Sequence, residues 1–109
     1  MDHQQYASCI KACSDCAAAC DHCASACLKE ANTQMMLECI RLDWDCAAIC
    51  RIAAQFMSNG SRFAREACAL CARICEACAL ECEKHESEHC AACAQACRSC
   101  AEQCRRMAG

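Results

Sequence analysis

The segment CIKACSDCAAACDHCASAC, residues 9–27, sets the fold that we predict for this chain. Its cysteines follow one another at steps of four, three, four, three and four residues. Residues three and four apart lie on one face of an α-helix, so the spacing predicts six thiols along one stripe. The stripe is about 27 Å long at ~1.5 Å rise per residue. Leucine or isoleucine normally occupies such a stripe and faces partner helices; here the pattern predicts a core lined with sulfur.

The same spacing returns along the rest of the chain, and all 19 cysteines belong to four runs. The runs are Cys9, Cys13, Cys16, Cys20, Cys23 and Cys27; Cys39, Cys46 and Cys50; Cys68, Cys71, Cys75, Cys78 and Cys82; and Cys90, Cys93, Cys97, Cys100 and Cys104. For one or two cysteines, a role as small core residues would be the simpler interpretation. For 19 cysteines in phase, the pattern favours binding of metal by thiolates.

Breaks between the runs predict four helices, from about residues 2–5 to 29, then 33–57, 61–84 and 87–107. The predicted N-terminal caps are Asp2, the pair Asn32-Thr33, Ser61 and Ser87. The chain has no proline, and its only internal glycine, Gly60, falls in the clearest turn. Because short connections make neighbouring helices antiparallel, we expect an all-α, up-down-up-down four-helix bundle with a cysteine-lined core, in one domain over residues 1–109.

Charge and composition exclude several classes of function. Acidic and basic residues are interspersed and give a net charge of −3, which argues against nucleic-acid binding. The first residues show neither a basic segment nor an apolar segment, so we expect no signal peptide, no membrane span and a cytosolic location. Thiols stay reduced in the cytosol, and an odd number of cysteines argues against a complete disulfide framework.

Antiparallel order predicts which residues share an end of the bundle. We call one end the closed end; it gathers Tyr6, Phe56, Met57, Phe63 and Met107, whose bulk would plug the core. We call the opposite end the entry end; it gathers Cys27, Met35, Met36, Cys39, Cys82, His85, His89 and Cys90. Thioethers, imidazoles and thiols are metal ligands, so we expect metal to enter there.

Repeated thiols on rigid helices favour copper over other metals. Zinc usually takes four ligands from turns or knuckles, and iron–sulfur clusters are usually held by loops. Cu(I) is soft and binds thiolates; because it accepts two or three sulfurs and thiolates bridge ions, a ladder of sulfurs could hold close to one ion per thiol. The alternatives are a zinc or heavy-metal buffer, a thiol redox enzyme and a purely structural bundle.

Three further residues are candidate ligands. Asp43 lies four residues after Cys39 and three before Cys46, where helix 2 should carry an inward cysteine; alternatively, the helix rotates and Leu42 fills the core. His85 lies three residues after Cys82. It could be a ligand at the entry end or a solvated loop histidine. Met35 offers a thioether at the same end.

A second stripe follows helix 2 away from its thiols. It consists of Leu37, Ile40, Trp44 and Ala48. If the core holds metal, an exposed apolar stripe indicates an interface with another molecule. The alternative is packing between neighbouring helices of the bundle.

Almost the whole chain resembles the bacterial copper storage proteins. The segment from Cys39 to Cys46, the run from Cys68 to Cys82 and the closing segment from Cys97 to Cys104 carry the resemblance. It implies a cytosolic, cysteine-lined four-helix bundle that is folded before it binds metal and forms homotetramers. It also implies that the 19 cysteines bind many Cu(I) ions, which one end of the bundle admits, with storage rather than catalysis as the function. We expect release to a copper chaperone or to small thiols.

Overall fold

The structure, a computed structural model, describes residues 3–109, with side chains described from Tyr6 onward. It consists of α1 (His3–Leu28), a short 3₁₀ turn (Thr33–Met36), α2 (Leu37–Asn59), α3 (Ala64–Cys82) and α4 (Glu88–Ala108). Each long helix packs against two neighbours, in the ring α1, α2, α3, α4. The predicted all-α four-helix bundle is confirmed. Its extents are 46 × 18 × 17 Å.

Cysteine and alanine together make the interior. The thiol stripe of each helix faces the bundle axis, and buried alanines such as Ala17, Ala24, Ala53 and Ala79 lie beside the stripes. An alanine at a helix contact lets two backbones approach toward the short end of the usual interaxial range of ~8–10 Å. The small side chains therefore bring four stripes of sulfur together along one narrow axis.

Two predicted turns have the expected chemistry. Gly60 ends α2 in the left-handed region at φ 67°, and the amide of Ser61 donates to the carbonyl of Phe56 at 2.9 Å. This is the Schellman arrangement, in which a glycine without Cβ tolerates positive φ. At α4, the Ser87 hydroxyl accepts from the amide of Cys90 at 3.4 Å, so this predicted cap is confirmed.

Two other predicted caps are wrong, and Asp2 lies outside the described residues. The Thr33 hydroxyl donates backwards to the carbonyl of Glu30 at 2.6 Å, because the last carbonyls of a helix lack partners within the helix. The 3₁₀ turn follows, and α2 begins only at Leu37. Ser61 accepts from the amide of Phe63 at 3.0 Å, which closes a turn before α3 rather than capping it.

The closed end is plugged by fewer residues than predicted. Tyr6 and Met57 are buried, and Phe56 and Met107 pack against the core from its edge. Phe63 does not contribute, since half of its side chain is exposed and the guanidinium of Arg62 lies 4.9 Å from its ring centre. Within residues 3–109, no helix combines the length and the apolar character needed to cross a bilayer.

Candidate metal centre

The 19 cysteines form one buried column along the bundle axis. Every one is at most 1 % exposed, and every one is a free thiol. The heptad-like spacing of the runs puts each thiol on the inward face, and the antiparallel order of the helices interleaves thiols from four directions. Access to any sulfur therefore depends on a neighbouring side chain or on a local opening of the bundle.

Close sulfur–sulfur contacts run through the column from the closed end. The Sγ atom of Cys104 lies 3.6 Å from that of Cys9 and 3.6 Å from that of Cys13. In the middle, the Sγ atom of Cys46 lies 3.5 Å from that of Cys75 and 3.7 Å from that of Cys16. These separations suit two sulfurs that share one metal ion.

Several groups of four sulfurs could each hold a metal ion, since their Sγ atoms lie within 4.8 Å of one another. They include Cys13, Cys71, Cys100 and Cys104; Cys16, Cys46, Cys50 and Cys75; Cys16, Cys20, Cys46 and Cys97; Cys20, Cys78, Cys93 and Cys97; and Cys23, Cys27, Cys39 and Cys90. Neighbouring groups share members, such as Cys16 and Cys46. A shared thiolate would bridge ions, so the geometry fits a linked cluster better than isolated sites.

Asp43 takes the place of a cysteine on α2 and points into the column. It is fully buried, and its Oδ1 atom accepts from the thiols of Cys78 and Cys93, each at 3.2 Å. The structure thus decides between the two interpretations of this position: Asp43 lies inside, and Leu42 packs at the edge of the core. Burial, together with the nearby Cys93 and Cys78, raises the pKa of Asp43 to about 11.

Burial also affects the ionisation of two thiols at the entry end. It raises the pKa of Cys27 and of Cys90 above the ordinary value, because a thiolate loses its hydration in an apolar interior. These two thiols therefore keep their protons at neutral pH in the metal-free protein. A bound cation reverses this preference, since a coordinating thiol is deprotonated.

Among the histidines from Tyr6 onward, His89 is the one that reaches the thiols, and the sequence did not single it out as a ligand. Its Nδ1 atom lies 3.6 Å from the sulfur of Cys90, 3.7 Å from that of Cys23 and 3.8 Å from that of Cys27. Its Nε2 atom lies 3.0 Å from a carboxylate oxygen of Glu30. A carboxylate on the second ring nitrogen fixes the tautomer and orientation of a metal-binding imidazole.

The spacing of His89 contained a usable signal. It precedes Cys93 by four residues, so both side chains lie on one helical face. Continuing the cysteine spacing by one four-residue step before Cys90 does not point to His89. It leads to Glu86, which is exposed. The first turn of α4 brings His89 toward α1, and only the packing of these two helices reveals its contact with Cys23 and Cys27.

The other two predicted ligands at the entry end find partners outside the thiol column. The Nε2 atom of His85 lies 3.1 Å from a carboxylate oxygen of Glu81. Met35 is 70 % exposed and contacts the side chain of Asn32, whereas Met36 is buried, with only 3 % of it exposed. The 3₁₀ turn explains why Met36 is buried in place of Met35, because it directs the second of these two adjacent side chains inward.

Comparison with known proteins gives a consistent picture. The family model described as "Copper storage protein" matches residues 2–109. A cysteine-rich protein of Bacillus subtilis, YhjQ, is 55 % identical over 86 residues, which span 78 % of this chain and 80 % of that protein.

Solved structures with the same fold include proteins of Bacillus subtilis and Streptomyces lividans. The metal-free copper storage protein 3 of Bacillus subtilis is 54 % identical, with 95 % of this chain and 99 % of that chain covered and a TM-score of 0.91. A cytosolic copper storage protein of Streptomyces lividans, in a form with five coppers, is 40 % identical, with 98 % and 94 % covered and a TM-score of 0.94. The match extends over nearly the whole chain, and the chain therefore belongs to the copper storage protein family.

Proposed function

We propose that this protein stores and sequesters many Cu(I) ions in its core, as a single copper-binding domain over residues 1–109. The observation that carries the proposal is the column of 19 buried thiols with shared members in its four-sulfur groups. The relatives support it, since a copper storage protein 53 % identical to this chain has been solved in a Cu(I)-bound form. A structure of the Streptomyces lividans protein holds 10 copper equivalents.

Charge balance favours Cu(I) over zinc in this core. One Cu(I) neutralises one thiolate, so a ladder with close to one ion per thiol carries little net charge. A zinc ion held by four thiolates leaves a net charge of −2 at each site, and uncompensated charge is costly in an apolar interior. Among the described residues Asp43 is the only buried polar or charged one, so no buried cationic side chain offsets this charge.

We propose the 19 cysteines as the copper ligands, with Asp43 as an additional oxygen donor within the column. At the entry end, we propose His89 and Met36 in place of His85 and Met35, because the first pair is near the thiols or buried and the second pair is not. Copper would be released there to small thiols or to a copper chaperone. The cytosolic location follows the relative from Streptomyces lividans, which is described as cytosolic.

We propose storage without catalysis. A thiol redox enzyme needs an accessible cysteine of low pKa beside a resolving partner. Every cysteine here is buried to at least 99 %, and burial raises the pKa of Cys27 and of Cys90 at the entry end. Rapid reaction of one cysteine with peroxide would contradict this part of the proposal.

The decisive experiment is an anaerobic titration of the fully reduced apoprotein with Cu(I), in competition with a chromophoric chelator. We expect tight uptake approaching 19 ions per chain, one for each cysteine, and little uptake of Zn(II) in a parallel titration. The variant Cys46→Ser removes a shared sulfur and should lower the capacity, whereas Ser99→Ala, at an exposed position of α4, should leave it unchanged. Uptake of only one or two ions would overturn the proposal.

We also propose that the chain self-associates, as the family resemblance implies. Exposed apolar side chains on the outer faces of α2 and α3 support this, since they include Leu37, Trp44, Leu70 and Leu80. Mass measurement by sedimentation on the reduced apoprotein tests it, and a monomer at tens of micromolar would contradict it.

A further inference from the structure

A pocket lies beside His89 at the entry end, between the C-terminal part of α1 and the start of α4. Its lining consists of His22, Ser25, Ala26, Lys29, Glu30 and His89. The first four are spaced by three, one and three positions, so they lie on one helical face. The volume of the pocket is about 530 Å³, which is within the range of ~300–1,000 Å³ typical of small-molecule sites. We call it the His89 pocket.

The ring of His89 separates this pocket from the thiol column. The side chain is only 15 % exposed, and its Nδ1 atom lies within 3.8 Å of the sulfurs of Cys23, Cys27 and Cys90. Its Nε2 atom lies 3.0 Å from a carboxylate oxygen of Glu30, which also lines the pocket. A metal ion that enters the pocket is therefore one imidazole ring away from three free thiols.

The lining offers one charge of each sign to a ligand. Lys29 is exposed and makes no ion pair with any residue from Tyr6 onward, so its ammonium group can donate to a carboxylate. One carboxylate oxygen of Glu30 contacts His89, but the side chain remains 32 % exposed and its second oxygen can accept from an ammonium group. These two charges match a molecule of amino-acid type, which carries a carboxylate and an ammonium group.

The chemistry of the metal selects the rest of the ligand. Cu(I) is soft and binds thiolates, and small thiols stay reduced in the cytosol, so copper there is held by a carrier thiolate. We propose that the His89 pocket binds Cu(I) complexes of thiols of amino-acid type, such as cysteine-containing peptides. Their charged groups pair with Lys29 and Glu30, and the copper faces His89. The inference rests on the proposed storage function and names the form in which copper arrives.

Transfer from such a carrier is an exchange of ligands without redox chemistry. The bond between Cu(I) and the carrier's sulfur breaks, and a bond forms between Cu(I) and a thiol near His89, such as Cys27. The proton of that thiol passes to the carrier's sulfur, because a coordinating thiol is deprotonated and the departing thiolate is a base. The carrier leaves as a free thiol, the copper stays Cu(I), and no other reactant is needed.

The test removes the positive charge of the pocket and compares two copper carriers. Lys29→Gln keeps most of the length of the side chain and loses its ammonium group. Lys84→Gln is the matched control, because Lys84 lies at the same end of the bundle but outside the pocket, 3.2 Å from Glu81. The rate of copper uptake by each reduced apoprotein is measured by stopped flow against rising concentrations of Cu(I)–glutathione. The series is repeated with Cu(I)–mercaptoethanol, whose ligand carries neither a carboxylate nor an ammonium group, and circular dichroism checks the folding of each variant.

We expect Lys29→Gln to raise the concentration of Cu(I)–glutathione that gives half the maximal rate by about threefold, as for the loss of one exposed ion pair. The effect on uptake from Cu(I)–mercaptoethanol should be much smaller, and Lys84→Gln should behave as the wild type with both carriers. An unchanged half-maximal concentration in Lys29→Gln would overturn the proposal, as would an equal change with both carriers or in both variants. The final copper capacity of the wild type reports on storage by itself, so failure of the pocket and failure of storage are distinguishable.

Discussion

Among single residues, Asp43 is the clearest departure from the repeat. It replaces a thiol in a column otherwise built of cysteine, and its carboxyl accepts two S–H bonds at 3.2 Å. An acid in this setting keeps its proton at neutral pH because burial penalises the carboxylate. The residue therefore adds an oxygen donor without adding charge to the metal-free core.

We expect Asp43→Asn to make the apoprotein more stable than the wild type at neutral and alkaline pH. In the unfolded chain the carboxyl ionises near its ordinary pKa of 3.8, whereas in the folded chain burial raises the pKa to about 11. Unfolding therefore releases a proton between these values, so wild-type stability falls as pH rises, by at most about 1.4 kcal/mol per unit. The amide variant lacks this dependence.

Urea unfolding of both reduced proteins at pH 5 and pH 8 measures the difference. The free energy of unfolding of Asp43→Asn relative to the wild type should increase between the two pH values. A difference that does not change with pH would show that Asp43 is already ionised in the folded protein.

His89 and His85 make a matched pair for copper entry. Only His89 has a nitrogen within 3.8 Å of three thiols, while His85 lies beside Glu81. We expect His89→Ala to slow Cu(I) loading by about tenfold, the low end of the effects seen when groups around a metal site are removed. Stopped-flow loading should show little change for His85→Ala, and equal slowing in both variants would count against a special role for His89.

Among the elements, each helix is defined by its inward thiols and by the chemistry of its ends. The turn at Gly60 joins α2 to α3 in four residues, and the turn with Ser87 joins α3 to α4 in five. Connections this short hold neighbouring helices antiparallel. The register of the thiol stripes thus depends on turn geometry as well as on the stripes themselves.

We expect Gly60→Ala to lower the free energy of unfolding by about 1–2 kcal/mol, the cost of a Cβ in the left-handed region. No heavy atom lies within 4 Å of the position that the new Cβ would take, so the effect should come from the backbone alone. Gly60→Asn should lose less, since asparagine tolerates this conformation better. Thermal unfolding of the reduced apoprotein measures both, and equal losses would point to a cause other than φ.

For the molecule as a whole, the fold replaces a hydrocarbon core with thiols. Alanine and cysteine bury little apolar area per residue, so the bundle gains less from the hydrophobic effect than one built of leucine. Metal bound in the column would add links among all four helices. Stability and cargo are therefore coupled in this molecule.

We expect copper loading to raise the melting temperature of the bundle by about 15 °C or more. A single site at a thousandfold its dissociation constant adds about 4 kcal/mol, and for a domain of this size each kcal/mol shifts the midpoint by roughly 4 °C. Scanning calorimetry of apo and loaded protein under anaerobic conditions measures the shift. An unchanged midpoint would mean that copper does not bind the folded column.

Periodicity in the sequence was enough to predict the four helices, their order and the inward position of all 19 cysteines. Residues three and four apart must share a helical face, and short turns must reverse the chain. The inward place of Asp43 came from the same rule, although the rule could not choose between Asp43 and Leu42.

Only the tertiary structure decided the positions and partners of the side chains at the helix ends, because contacts between helices determine them. These contacts brought His89 rather than His85 to the thiols and buried Met36 rather than Met35. They also moved Phe63 out of the closed end and left Thr33 and Ser61 without a capping role. At a helix end the i to i+4 constraint stops, and each side chain takes the partner that a neighbouring helix offers, as His89 takes Glu30. Such contacts lie far apart in sequence, so no local pattern contains them.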